Sequence, residues 1–306
     1  MALLHSVSYS GTWGHASLPL EEFIGRAAAL GYDGVMLMAK RPHLSVLDWD
    51  IESRARLRDH LESRDIRTIC IAGYTNFSAD LEHGEVPTSE IQIQHVTELA
   101  RIARDLGGNL VRVFTGYENP AATYLAQWNL LVRSLRECAR RAADFGVTIA
   151  VQNHHDIAAG YESQFDLIQE VAHPNCRAAF DAWAPALHGV DIVAAAEKMG
   201  PITAMTTMAN YQLRPRYRLE TQVTNFQPIL PTVQAVPIDE GFIDYRAFLN
   251  ALERGGFKGA IAYEMCSPVL GGGSLENLDR YARKFVEFLG ARREVATQHQ
   301  RLAPRP

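Results

Sequence analysis

Short apolar runs and amphipathic stretches take turns along this chain. Residues 3–8 read as a strand, followed by a glycine-rich loop that carries Trp13 and His15. Residues 18–30 place apolar side chains at helical spacing and stop at Gly31, as a helix C-terminus commonly does, and residues 32–38 follow as a second apolar strand. The step then recurs. Helical stretches at 51–63, 89–106 and 121–145 lead into strands at 68–72, 110–114 and 147–152, and those at 165–172, 190–199 and 245–255 lead into strands at 177–181, 202–206 and 259–264. A last helix, 275–289, closes the series at eight strands and eight helices.

Strands that alternate with helices require crossover connections and a parallel sheet. Eight such steps within residues 1–290 predict an α/β protein of one domain, a single (β/α)8 TIM barrel. A doubly wound open sheet is the other arrangement this rhythm permits, but no predicted strand runs into the GxGxxG turn of a dinucleotide fold, so no nucleotide cofactor is expected. Two segments break the rhythm. Residues 209–239 form a long insertion between the seventh strand and its helix, with Arg214, Arg216 and Arg218 around Pro215 and with Pro228, Pro231 and Pro237, which suggests a lid, a binding loop or a contact arm. Residues 291–306, rich in Arg, Gln and Pro, read as a poorly ordered tail.

Composition narrows the function classes. With 47% hydrophobic and 21% charged residues the chain can bury a substantial core, and a net charge of −5 with both signs interspersed offers nucleic acid no basic footprint. The cysteines Cys70, Cys138, Cys176 and Cys266 lack CxxC spacing, which points to reduced thiols rather than a zinc knuckle. No apolar run approaches the ~20 residues of a membrane span, and no basic segment followed by a long apolar one opens the sequence. A soluble, cytoplasmic protein without membrane or nucleic-acid partners is expected.

In a barrel of this kind the chemistry sits at the C-terminal ends of the strands. Those positions hold His5 with Trp13 and His15, Lys40 with Arg41 and His43, Tyr74, Phe114 with Tyr117, then Gln152, His154, His155 and Asp156, Asp181 with Trp183, Thr206 with Asn210, and Glu264. Strand alternation puts Ala150, Gln152 and His154 on one face, and His155 on the other. The set makes a polar cup with aromatic walls, suited to a polyhydroxylated ligand: ring faces cover C–H surface while carboxylates, amides and imidazoles meet hydroxyls. Trp13, His15, Arg41, Tyr74, Phe114, Trp183 and Asn210 are the candidate substrate-binding residues, and Glu264, His154, His155 and His43 the candidate catalytic ones.

Gly31–Met38 with Arg41-Pro-His43, Phe180-Asp-Ala-Trp-Ala-Pro185 and Ala262-Tyr-Glu264 together resemble the xylose-isomerase-like barrel superfamily of sugar and sugar-phosphate isomerases and epimerases, over residues 3–289. The resemblance implies a divalent ion held by Glu, Asp, His and Glu on strands five to eight. Asp181 and Glu264 match; Gln152 stands at the strand-five position and Thr206 at the strand-seven position. It thereby implies a metal set of Gln152, Asp181 and Glu264, with Mn²⁺ or Mg²⁺ as the ion for such oxygen donors and His154 as a possible nitrogen substitute. The second glutamate of related epimerases, six residues beyond the strand-five ligand, is Ala158 here.

The expected function is therefore abstraction of a proton next to a sugar carbonyl, by Glu264 or His154, with isomerase or epimerase outcome. A lyase of the same superfamily, a 3-keto-glycoside C-deglycosidase or a dehydratase, is the alternative, because elimination needs one base and the second glutamate is missing. A non-catalytic sugar- or partner-binding barrel is a further one. Expected partners are a small carbohydrate and either a second copy of the chain or a small second subunit.

Overall fold

The computed structural model describes residues 1–82 and 84–302, with side chains through Arg292. The elements run β1 (Ala2–His5), α1 (Leu20–Ala29), β2 (Gly34–Met38), α2 (Ile51–Ser63), β3 (Arg67–Ala72), α3 (Thr88–Asp105), β4 (Leu110–Val113), α4 (Tyr124–Ala143), β5 (Thr148–Gln152) and α5 (Tyr161–Val171). They continue with β6 (Cys176–Ala179), α6 (Trp183–Leu187), α7 (Ile192–Met199), β7 (Thr203–Met208), β8 (Asn210–Glu220), β9 (Asn225–Val236), α8 (Tyr245–Arg254), β10 (Ala260–Tyr263) and α9 (Leu275–Leu302). Eight parallel strands close into a barrel in the order β1-β10-β7-β6-β5-β4-β3-β2, with the helices outside. The fold is the α/β single (β/α)8 TIM barrel that the alternation of patterns predicts.

Several helices start where a side-chain oxygen takes up a free backbone N–H. Asp50, Thr123, Asp191 and Asp244 each accept from the first turn of α2, α4, α7 and α8. The apolar faces of the helices then pack on the outward-facing strand residues, forming the larger core. A smaller core fills the barrel itself, where Leu3, Met36, Cys70, Leu110, Ala150, Ala179, Met205 and Ala262 point inward. Because strand residues alternate, the inward positions two beyond Leu110 and Ala150 are Arg112 and Gln152, at the C-terminal mouth.

Three parts differ from the sequence pattern. Residues 209–239 are no loop: β8 and β9 pair antiparallel from Asn210↔Val236 to Glu220↔Asn225, with a bulge in β9 opposite Pro215. The ribbon is rooted by Asn210, whose amide donates to Ile238 O and Ile243 O and accepts from Tyr211 N and Ile243 N. Gly241 passes so close to that amide that any Cβ there would collide with it. Second, α9 runs on to Leu302, where a loose tail from 291 is expected; at the start of this stretch Arg292 donates to Asn250 and Glu253 on α8. Residues 303–306 of that tail lie outside the described residues. Third, a short helix, α6, follows directly on Asp181. No helix among the described residues is long and apolar enough to cross a membrane.

Candidate active site

The strand ends enclose two adjoining cavities. The larger, of about 440 Å³, is lined by Trp13, Lys40, Tyr74, Phe114, Tyr117, His154, His155, Trp183 and Glu264 among others. The smaller, of about 30 Å³, lies against Gln152, His154, Asp181, Trp183, Thr207, Tyr211 and Glu264. His154 and Glu264 line both, so they stand where the two spaces meet.

Glu264 follows β10, and its carboxylate is 12% exposed. Its Oε1 lies 3.2 Å from His5 Nδ1, without hydrogen-bond alignment, and 3.8 Å from an Arg112 terminal nitrogen. Burial pushes the Glu264 carboxyl up, but the facing His5, Arg112 and His154 more than offset this and hold it below the ordinary carboxylate range. Burial holds His5 below the usual imidazole range, so the permanent cation beside Glu264 is Arg112. That guanidinium is wholly inaccessible, donates one N–H to Gly73 O at 3.0 Å, and packs 4.0 Å from the Phe114 ring centroid and 5.1 Å from that of Tyr74. Its Nε and its other terminal nitrogen have no hydrogen-bond partner.

His154 and His155 leave β5 with their Nδ1 atoms 2.6 Å apart. His155 has a left-handed backbone, φ 68°, which turns both imidazoles to the same cavity although strand alternation would separate them. Its ring stacks between Phe114 and Tyr117 at 4.4 and 4.3 Å, and Trp183 closes the other side of His154 at 6.4 Å. Burial lowers the His154 pKa below its ordinary value, against the opposing charge of Glu264. His155 is lowered to about 4, by burial first and then by His154 and Arg112.

Asp181, just past β6, accepts from Gln152 Nε2 at 2.8 Å, Thr207 Oγ1 at 3.3 Å and Trp183 N at 3.0 Å. Burial nevertheless raises its pKa to about 6, the hydrogen bonds acting against this and Glu264 adding to it. Asn153 fixes the Asp181 backbone through both atoms of its amide. For a divalent ion the donors are Asp181, Glu264, the Thr207 hydroxyl and Gln152 Oε1, a buried oxygen with no partner. This all-oxygen set fits a hard ion such as Mg²⁺ or Mn²⁺, with two anionic donors instead of three and no cluster of three or more His, Cys, Asp or Glu among the described residues.

The structure brings together Glu264, His154, His155, Gln152, Asp181, Trp13, Tyr74, Phe114 and Trp183. Four expected site residues are elsewhere. His43 is buried against Phe23, with Nε2 on Leu18 O, and lines neither cavity. Arg41 points outward into a two-pronged pair with Asp48. His15 donates from Nε2 to Ser267 O, behind Trp13, and Asn210 spends its amide on the root of the ribbon. On β7 the site residue is Thr207, not Thr206: Met205 points into the barrel, and alternation carries Thr207 with it. Ala158 is packed in the outer core, away from both cavities. Arg112 and Lys40 are the residues that position alone underrates; the signal for Arg112 is a lone charge in the apolar run Leu110-Val-Arg-Val-Phe114.

A parallel eight-stranded barrel with its polar cup at the strand C-termini defines an α/β-barrel protein of the kind that binds or transforms small molecules there. A family model described as xylose isomerase-like TIM barrel matches residues 24–291, and the chain belongs to that family. No curated protein matches by sequence. Among solved structures, L-ribulose 3-epimerase superposes with TM-score 0.73 at 16% identity, over 99% of this chain and 97% of that one. A probable 3-DHS dehydratase, AsbF, involved in petrobactin synthesis from Bacillus anthracis, gives 0.70 at 17%, over 95% and 99%. The IOLI protein with a binding zinc atom gives 0.72 at 17%, over 92% and 95%. At these identities the likeness is one of fold.

Proposed function

We propose that this chain is a carbohydrate-active enzyme that removes a proton α to a sugar carbonyl, with a sugar isomerase or epimerase outcome. The observation that carries the reading is the presence of both His154 and Glu264 on the walls that the two cavities share. Burial keeps His154 neutral near pH 7, the form that accepts a proton, and the fixed Glu264 carboxylate stabilises the imidazolium that results. The C–H electron pair moves into the carbonyl to give an enediolate, facing the ammonium of Lys40 on the cavity wall. Return of the proton from His154 to the neighbouring carbon, with that carbon's hydroxyl proton passing to the former carbonyl oxygen, gives the isomer; an epimer needs a proton delivered to the opposite face by a second acid, for which Asp181 is the candidate. Trp13 and Trp183 supply ring faces for the C–H surface of the sugar, while Tyr74 and Phe114, covered by Lys40, Arg112 and His155, back the cavity wall. A divalent ion on Asp181, Glu264, Gln152 and Thr207 would polarise the substrate carbonyl and share the enediolate charge.

A lyase reading is favoured by one feature: Ala158 sits in the packed core, so among the described residues no second glutamate lines the cup with Glu264. One base and one acid suffice to expel a β-substituent, and Asp181, with its pKa near 6, is the group able to donate. The test is incubation with candidate ketoses and 3-keto-glycosides in D₂O, followed by NMR. Deuterium at the α-carbon with a rearranged sugar supports the isomerase or epimerase, deuterium with loss of a substituent supports the lyase, and binding without exchange replaces both with a sugar-binding barrel.

A further inference from the structure

The β8–β9 ribbon leaves the barrel with a burial pattern that one copy of the chain does not use. Along β8 the residues alternate without interruption: Tyr211, Leu213, Pro215, Tyr217 and Leu219 take one face, and Gln212, Arg214, Arg216, Arg218 and Glu220 the other. Cross-strand pairing adds Val233, Pro228 and Phe226 to the apolar face. The stripe begins in the core, with Tyr211 4% exposed, and then runs out into solvent: Leu213 is 51% exposed, Tyr217 61%, Leu219 50% and Phe226 63%. A two-stranded ribbon is marginal by itself in water, and strict alternation of this kind marks a face that is covered. Nothing among the described residues covers it.

At the root of the same ribbon lies an apolar groove of about 1150 Å³, walled by Leu213, Leu230, Pro231 and Val233 on one side and by Leu187 and Phe242 on the other. Leu230, on its wall, is 84% exposed. One chain thus carries both a projecting apolar face and an open apolar groove, the two halves of an isologous contact. A two-fold axis between antiparallel ribbons brings the distal face of each to the root of the other.

Charge points to the same occupant. Arg214, Arg216, Arg218 and Glu220 are the only charged residues of the ribbon, while the whole chain carries −5, so a basic arm extends from a body more acidic than the total. Exposed acidic side chains stand at the root, where Asp239 and Glu240 share Lys284. A basic arm laid on a second, acidic body is attractive as a whole, whereas direct pairing of one β8 edge with another would set arginines against arginines. Pro228 and Pro231 interrupt the N–H row of β9, which leaves side-chain packing rather than a continuous sheet as the mode of contact. We infer that the apolar face of the β8–β9 arm and the groove at its root form the interface between two copies of this chain.

The test is the oligomeric state of the full chain in solution, by sedimentation velocity across a concentration series. The wild type is expected to sediment as a dimer. Combined Tyr217→Ser, Leu219→Ser and Phe226→Ser substitutions, which change only exposed side chains, should raise the dimer dissociation constant at least about a hundredfold, since buried aromatic anchors dominate such contacts. Combined Arg214→Glu, Arg216→Glu and Arg218→Glu substitutions should weaken the dimer and change its response to salt. Cross-linking of mixed light and heavy isotope-labelled wild-type chains supplies a readout that needs no variant, with the expected links joining residues of the arm to the root of the other copy. A monomeric wild type overturns the inference, as does a dimer that survives both sets of substitutions or whose cross-links avoid the arm. A monomer that binds anionic vesicles, or that pairs only with a smaller different protein, also overturns it and reassigns the face.

Discussion

The Nδ1 atoms of His154 and His155 lie 2.6 Å apart, within hydrogen-bond distance. One ring must donate and the other accept, so the tautomer of each imidazole is set by its neighbour. When His154 donates, its Nε2 carries the free lone pair, and the strained backbone of His155 is what holds the accepting ring in place. His154→Asn is accordingly expected to lower kcat/KM by about 10²–10⁴ and to abolish solvent deuterium uptake at the α-carbon. Uptake at the wild-type rate would remove His154 from the base position.

Replacing His155 by Phe keeps an aromatic ring between Phe114 and Tyr117 and removes the titrating group. Burial lowers the folded-state pKa of His155 from 6.5 to about 4, so the stability it contributes is complete above pH 6.5 and is lost as pH falls toward 4. Between pH 7 and pH 5 the wild type should lose about 1–2 kcal/mol more stability than His155→Phe, after a discount for partial solvent access. Urea unfolding at the two pH values measures this; parallel losses in both proteins would show that the shift comes from elsewhere.

Arg112 and Glu264 form a buried ion pair, and removing one partner strands the other. Arg112→Met should destabilise the fold by about 3–5 kcal/mol, and Glu264→Gln placed in the same chain should restore part of it. A double-mutant cycle in urea gives the coupling directly. Additive losses would mean that the two charges do not act on each other.

Gln152 presents a neutral amide where a third anionic donor would complete the metal set. Gln152→Glu should tighten Mn²⁺ binding by at least about tenfold, equivalent to ~1.4 kcal/mol, as measured by titration calorimetry on chelator-treated protein. Without the ion the same variant should be less stable than the wild type, because two carboxylates would then face each other across the 2.8 Å that now joins Gln152 to Asp181. Unchanged affinity would place the ion, if one binds, away from residue 152.

The barrel was readable because each of its elements declares a period. The apolar runs ending near Met38, Ala72 and Gln152, and the glycines that stop the helices before them, leave little choice of topology. Strand-end position also placed His154, Asp181 and Glu264 at the cavities, since side-chain direction at a strand end follows from counting by twos. It failed where counting fails. His155 faces the cavity through a left-handed backbone that no periodicity reports, and Thr207 replaces Thr206 because β7 continues to Met208. Arg41, His43 and Asn210 lie in turns or at a ribbon root, where local partners decide direction. The ribbon is the opposite case: the alternation from Tyr211 to Glu220 stands in the sequence, and the prolines within it mask the strands as a loop.

That ribbon is also a mechanical element. At roughly 3.3 Å per residue its eleven-residue strand β8 reaches about 35 Å from an anchor at Asn210. The next residue, Tyr211, lines the smaller cavity and lies 5.6 Å from the ring of Trp183. A load on the tip therefore has its fulcrum in the wall of the cup, and whatever grips the arm holds one side of that cup still.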